Sequence, residues 1–584
     1  MPPLILILGE QARSVAGQIK AEVGGEVFVA PPRGAGEAIR AAFREGRTVI
    51  GICAAGILIR ALGSLTMDKH QEPPVIAVSA DGRTIVPLLG GHRGANAIAI
   101  KLAEACKGFA AITTASETIL GLALDEPPAG WRIAPNPDFH HFVAARLDGR
   151  PCRLSGEAEW LQGKGLEFDN TARDEIIITH EDVHPTDHRL VYHPPLLALG
   201  VGTERGTPPD DLHELVHTVL HSHDISAQAL AGVFSLDLKS AEPAVHVLAD
   251  RLGIPVRFFS AEALEAEAPR LANPSDLVFA ETGCHGVAEG AALAAGGRDA
   301  KLLVEKTIGQ RCTCAIALAP QPIDADTVGR PQGRLAVLGI GPGTPEWRTS
   351  ETVRHIRQAQ DIVGYGLYLD LIKDLIDNQR LHTYALGEEA ARCRFAIDLA
   401  AQGRRVVLVS SGDAGIYGMA TLVTELLATA DNPAWARIDL RICPGISAMQ
   451  AAAARAGAPL GHDFCAISLS DLMTPWPVIE TRIKAAADAD FVLALYNPVS
   501  ARRREGFEQA LSILRVARPP TTPVVLARNL GRSGETVANT CLGELHIDQV
   551  DMLTIIIVGN HQTQTASRLH GPDWVFTPRG YTPA

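Results

Sequence analysis

The sequence predicts an α/β fold spread over several domains, and three observations predict it. Short runs rich in β-branched and apolar residues, at 48–52, 75–79, 406–410 and 491–495, alternate with Ala-rich stretches of helical composition. That alternation places helices on the faces of largely parallel sheets. The chain has 584 residues, several times the roughly 150 that one domain takes. Its apolar share of 46% and charged share of 20% supply several buried cores and exclude a disordered chain.

The elements follow in order. Residues 4–8 are an apolar run with no preceding positive charge, which predicts a buried first strand and no signal peptide. Residues 51–62 read as a strand end, a small-residue turn and a helix. In Pro87-Leu-Leu-Gly-Gly-His-Arg-Gly-Ala-Asn96 the glycines around His92 predict a tight turn whose exposed N–H groups can face an anion or a carbonyl. Boundaries are expected near 123 and 193, because 125–192 is rich in Pro and His with poor periodicity. His213, His217 and His221 recur every four residues, on one helix face. Three such imidazoles can bind zinc or cobalt, but no carboxylate or cysteine spacing completes a site. The expectation is a solvated helix face and no resident metal. Residues 319–332, rich in Pro and Asp, read as an interdomain linker.

A strand over 334–338 then runs into Gly339-Ile-Gly-Pro-Gly-Thr344, a turn that lets backbone approach a ligand. Its proline breaks the dinucleotide fingerprint, and no acidic residue closes a second strand about 20 residues on, so a nicotinamide enzyme is disfavoured. The strand at 406–410 ends in Ser-Gly-Asp413, at the carboxyl end where open α/β sheets hold ligands. Pro444-Gly-Ile-Ser-Ala448 reads as a turn opening a small-residue helix with free N–H groups.

Net charge is −13 and aromatics are 5%. Nucleic acid and anionic membrane are therefore not the expected partners. Residues 335–584 hold 21 Arg and two Lys against 25 acidic residues, so most of the negative charge lies upstream. Ten cysteines spread over the chain are no disulfide framework, and the expected compartment is the reducing cytoplasm.

The motifs in order, Gly339–Thr344, 364–372, 410–420, 443–476, 494–503 and 526–537, resemble the tetrapyrrole methyltransferases of cobalamin biosynthesis. The segments Ser468-Leu-Ser-Asp-Leu-Met-Thr-Pro-Trp476 and Tyr496-Asn-Pro-Val-Ser-Ala-Arg-Arg503 are similar to those of the precorrin-3B C-17 methyltransferases. The resemblance implies a two-lobed methylase fold, with lobes at 333–443 and 444–584, binding S-adenosylmethionine between them as a homodimer. Carried over residue by residue, Pro342, Gly412, Asp413, Ala414, Ile416, Ser447, Ala448, Tyr496 and Gly531 would border the cofactor. The implied reaction methylates precorrin-3B at C-17 and contracts the ring to precorrin-4. That step needs a ring hydroxyl deprotonated. Asp471, Ser470 and Tyr417 are the candidate catalytic groups. Arg502, Arg503, Arg504, Arg528 and Arg532 are candidate clamps for substrate carboxylates. A cobalt-bearing substrate is the alternative.

Upstream, the motifs around 56–60, 69–75, 88–92, 112–114, 236–242, 286–293 and 304–306 resemble the cobalt-precorrin-5A hydrolases. Hydrolase-like units are expected at 1–122, 123–192 and 193–318. The implied chemistry opens a lactone and releases acetaldehyde, with His92, Lys69, Lys239, Glu242, Glu281, Glu289 and Lys306 as polar candidates. Glu72 stands where that family carries Asp, and the turn after His92 is one glycine short. The alternative is a non-catalytic carrier of corrinoid intermediates.

Overall fold

The computed structural model describes every residue except 1, 32–33, 67–71, 431, 500–503, 571 and 582–584, and the side chain of His92 is likewise outside the described set. Among the described residues there are six sheets with flanking helices. The first has the order Glu26–Val29, Leu4–Ile7, Val49–Ile52, Val75–Val78, Thr84–Leu89, Phe109–Ala110. Its central strands are wholly buried, and their alternate side chains serve two cores. Ile5, Ile7, Ile50 and Ile52 pack under helices Arg13–Val23 and Ala95–Cys106. Leu4, Leu6 and Val49 pack under helices Ala35–Arg44 and Ala55–Leu62. A small four-stranded sheet follows, ordered Arg132–Ile133, Arg189–His193, Glu175–Ile178, Arg153–Ser155.

The third sheet runs Val256–Phe259, Leu230–Leu236, Leu197–Thr203, Cys312–Leu318, Lys301–Ile308. Gly200 is essential to it: a Cβ there would lie 1.9 Å from the Ala288 carbonyl oxygen, so helix Val287–Gly296 presses directly on the strand. Segment 319–332 lies along this unit. Its backbone donates from Ala319 to Leu196 and from Ile323 to Pro195, and Phe258 and Arg330 exchange two backbone hydrogen bonds.

The fourth sheet, Arg380–Tyr384, Asp361–Tyr365, Arg405–Ser410, Arg334–Gly339, Asp439–Cys443, is parallel throughout. The sixth, Phe464–Ser468, Val492–Tyr496, Thr554–Val558, Pro523–Arg528, Thr536–Cys541, is parallel only at its first pair. A three-stranded sheet of Gly457–Ala458, Trp574–Phe576 and Gln564–Ala566 closes beside it.

The expectation of largely parallel sheets is corrected in every sheet but the fourth, and at three short hairpins the reason is local. Val75–Val78 meets Thr84–Leu89, Lys301–Ile308 meets Cys312–Leu318, and Pro523–Arg528 meets Thr536–Cys541, all antiparallel. The connections are too short for the crossover of a dozen or more residues that a parallel return needs. No helix among the described residues is long and apolar enough to cross a membrane.

Candidate functional site

Three strand ends of the fourth sheet converge. From Arg334–Gly339 comes the loop Gly339–Thr344, from Arg405–Ser410 the loop through Asp413, and from Asp439–Cys443 the turn into helix Ala448–Ala456. Glycine makes this convergence possible. A Cβ on Gly445 would sit 2.2 Å from the Gly412 carbonyl oxygen, and one on Gly339 would sit 2.7 Å from the Gly445 nitrogen. Gly341 and Gly412, both at positive φ, exchange backbone hydrogen bonds of 3.1 and 2.9 Å.

Asp413 ties the loops together. Its Oδ1 accepts from the N–H of Gly415 at 2.8 Å and of Ile416 at 3.1 Å, and its Oδ2 accepts from Gly445 at 2.9 Å. It does not cap the following helix, which starts at Met419 behind Gly418. Ala414 is buried while Ile416 is exposed at the rim. Ser447 is buried and caps helix Ala448–Ala456: its Oγ accepts from Gln450 N–H at 3.2 Å, and Gln450 Oε1 accepts from Ser447 N–H at 3.0 Å. The helix start thereby keeps its first N–H groups ordered toward the gap in front of Gly412. Tyr496 accepts from Met449 N–H at 3.2 Å, and burial pushes its phenol up.

The sixth-sheet unit completes this arrangement. Gly531 packs on Gly343, where a Cβ would approach its carbonyl carbon to 2.5 Å. Arg532 crosses between loops, donating from Nε to Pro342 O at 2.7 Å and from Nη2 to Ser411 Oγ at 3.0 Å. Tyr417, at φ 52°, donates its hydroxyl to Ala466 O at 3.0 Å, and its ring lies 5.1 Å from that of Tyr496.

The structure distributes the other sequence candidates. Arg528 is paired with Asp551 at 2.6 Å and Arg504 with Asp548 at 2.7 Å, so neither guanidinium is unengaged. Arg502 and Arg503 lie outside the described residues, as does Lys69. Ser470 and Asp471 follow strand Phe464–Ser468, and Asp471 lines a cavity of about 210 Å³ with Trp476, Asn497 and Phe507. Of His92 only the backbone is described, in a short turn between Gly90 and Gly94 at φ +73° and +88°. That turn borders a cavity of about 420 Å³ holding Glu72, Asn96, Glu117 and Asp125. There Asn96 donates to Thr114 Oγ1 at 2.9 Å and also to Glu117. Burial raises the Glu117 carboxyl despite those neighbours, and Asp125 adds to the rise. Glu289 accepts from the N–H groups of Ala272, Asn273 and Lys306 and from Asn273 Nδ2, all within 2.9 Å, and Glu242 accepts from Gly206 N–H.

His213 and His217 do share a face of helix Pro209–Ser222, with rings 6.4 Å apart. A group that sequence spacing does not reveal is Glu351, His355 and Cys443, whose ligand atoms lie within 4.8 Å of one another. Burial pushes the Cys443 thiol up to about 11, and Arg354, Arg334 and Arg441 face His355, which disfavours a cation.

Comparison with known proteins adds the following. The family of tetrapyrrole (corrin/porphyrin) methylases matches residues 334–546. The cobalamin synthesis G N-terminal and C-terminus families match 37–117 and 197–317. A probable cobalt-factor III C(17)-methyltransferase of Salmonella typhimurium is 44% identical over 42% of this chain and 99% of its own length. A precorrin-3B C(17)-methyltransferase of a Sinorhizobium species is 44% identical over 43% of this chain and 98% of its own. A crystal structure titled as the methyltransferase CobJ is 41% identical, covering 42% of this chain and all of that one, with a TM-score of 0.39.

Proposed function

Because the chain belongs to the tetrapyrrole (corrin/porphyrin) methylase family, we propose that residues 333–584, as two lobes, methylate precorrin-3B at C-17 with ring contraction to precorrin-4. The observation that carries this reading is the convergence of three glycine-built strand ends on the start of helix Ala448–Ala456, faced by Tyr417 and Tyr496. S-adenosylmethionine would supply an electrophilic methyl group on a sulfonium. The residues fit such a group: a charged, flexible nucleoside needs ordered backbone donors, a buried polar cap and an aromatic wall, and Gly412–Ala414, Ser447, Ala448 and Tyr496 provide them.

The chain's own residues have clear tasks in this proposal. Asp413 holds the loop that faces the methionine and ribose side. Pro342, fixed by Arg532, sets the rim. Positioning supplies much of the acceleration in an in-line displacement. The Tyr417 hydroxyl donates to Ala466 O, Asp471 lines the cavity beside Trp476 and Asn497, and these two with Ser470 are the candidates for taking the ring-hydroxyl proton. Arg532 keeps Nη1 for a substrate carboxylate, and Arg528 and Arg504 would shift from their aspartates to reach one. Assembly as a homodimer belongs to the same proposal and is read by light scattering. For residues 1–318 we propose a hydrolase-like module whose cavity beside Gly90–Gly94 takes a related intermediate. Its raised Glu117 carboxyl can hold a proton for a leaving oxygen.

The test is anaerobic incubation of the full-length chain with S-adenosylmethionine and metal-free precorrin-3B. Gain of one methyl group, with the visible spectrum changing as the ring contracts, is the expected result. No gain in protein that binds S-adenosylmethionine would remove the metal-free substrate. The cobalt-bearing analogue, which one relative's name carries, would then replace it. Acetaldehyde release from a lactone-bearing intermediate reports on the upstream half, and His92→Ala should abolish it.

A further inference from the structure

A cavity of about 580 Å³ opens at the carboxyl ends of strands Leu197–Thr203 and Leu230–Leu236, far along the chain from the methylase loops. The sequence builds it from three pieces. Glycines 200 and 202 bring helix Val287–Gly296 down over the strand end, so that Gly286, Val287 and Ala288 line the cavity with the helix start. The N-cap is Gly286, which has no side chain to cap those N–H groups. The acid of the first turn, Glu289, does not neutralise them either, because its carboxylate is spent on Ala272, Asn273 and Lys306.

The remaining wall is cationic. Lys239, Lys306, Arg205 and Arg311 line the cavity against the carboxylates of Glu204 and Glu281. Arg311 is paired with Glu204 at 3.0 Å. The Lys306 ammonium donates to the Asn273 carbonyl at 3.0 Å and has no carboxylate partner among the described residues. Lys239 and Arg205 have no side-chain partner among the described residues. A separate observation points to a ligand. Thr203, only 9% exposed and at the strand end lining the cavity, has a buried hydroxyl with no hydrogen-bond partner among the described residues. A buried hydroxyl left without a partner is costly, and a bound acceptor or donor removes that cost. Val278, Val287 and Ile308 add an apolar side.

We propose that this cavity is a binding site for an organic carboxylate with an apolar body, held by Lys239, Lys306, the Thr203 hydroxyl and the start of helix Val287–Gly296. A helix N-terminus and two ammonium groups favour an anion, and the apolar side favours a carbon skeleton over a bare inorganic ion. The proposal does not depend on the methyl-transfer reading.

The experiment titrates the full-length chain with coproporphyrin, which carries four carboxylates on an apolar macrocycle, and with its tetraamide. Lys239→Gln and Thr203→Val are compared with Arg532→Ala, which sits at the methylase loops. Far-UV circular dichroism and thermal unfolding check that all three variants are folded. The expected result is a tenfold or greater loss of coproporphyrin affinity in Lys239→Gln, a smaller loss in Thr203→Val, and weak binding of the tetraamide. Three results would overturn the proposal. They are unchanged coproporphyrin affinity in both cavity variants, loss of binding in Arg532→Ala alone, and equal affinity for the tetraamide.

Discussion

Asp413 accepts three backbone N–H groups from two loops, and hydrogen bonds to a charged acceptor contribute about 1.5–3 kcal/mol each. Asp413→Ala frees Gly415, Ile416 and Gly445 together. We expect S-adenosylmethionine affinity to fall at least about tenfold, with Asp413→Asn intermediate because one acceptor oxygen survives. Calorimetric titration checks this, and an unchanged affinity in the alanine variant would remove Asp413 from the cofactor site. The neighbouring residues show what is readable locally. Glycines after a buried run, and an acid at a strand end, are short-range patterns that the sequence displays. The contacts of Arg532 with Pro342 and of Gly531 with Gly343 join segments about 190 residues apart, and no local pattern carries that information. Arg528 and Arg532 are candidate clamps because the substrate that the resemblance implies carries carboxylates; in the fold one is paired with Asp551 and the other bridges loops, because an arginine's partner is decided by folding.

Helices bring two further expectations. Helix Ala448–Ala456 starts with a reciprocal cap between Ser447 and Gln450. Ser447→Ala should lower unfolding free energy by about 1 kcal/mol, measured by urea denaturation, and should weaken S-adenosylmethionine binding by disordering the first turn. Full stability with full affinity would show that the cap does neither. The start of helix Val287–Gly296 depends on Glu289. Burial alone would raise that carboxyl, but donation from the Asn273 side chain and from the backbone of Lys306, Asn273 and Ala272 outweighs it, and the net effect is a lowered pKa. A carboxyl lowered on folding stabilises the fold above its ordinary value of 4.5, and that contribution is lost as pH falls through the folded value. Glu289→Gln should therefore lose stability at neutral pH and show a flatter acid limb in pH-dependent denaturation. Parallel acid limbs in variant and parent would sink this account. Helix and strand periodicity made these elements legible. Strand direction was less so, since the loops 79–83, 309–311 and 529–535 dictate antiparallel return by their shortness, which hydrophobic pattern does not encode.

Across the whole molecule, one buried carboxylate joins the upstream and downstream halves. Asp237, 5% exposed, faces Arg330 from the connecting segment and Arg437 Nη1 at 2.6 Å from the turn before strand Asp439–Cys443. The Arg437 carbonyl in turn accepts from Ser240 Oγ at 3.3 Å and from Gln332 Nε2 at 3.2 Å. Among the described residues, the other ion pairs between the halves, Lys20–Asp377 and Arg357–Glu26, are more open to solvent, and exposed pairs contribute little. Asp237→Ala leaves two guanidiniums facing each other without their anion. Removing one partner of a buried pair costs about 3–5 kcal/mol, reduced here to about 1–3 because both guanidiniums reach water. The cost should fall on the junction and not on the methylase loops. We expect calorimetry of Asp237→Ala to resolve two transitions where the parent shows more cooperative unfolding, and proteolysis within 319–332 to accelerate, with S-adenosylmethionine affinity unchanged. A variant that unfolds and resists cleavage as the parent does would show that the two halves are held by other contacts. A variant that loses cofactor affinity would show that the junction shapes the methylase loops as well, since the turn carrying Arg437 leads straight into the strand that ends at Pro444 and Gly445.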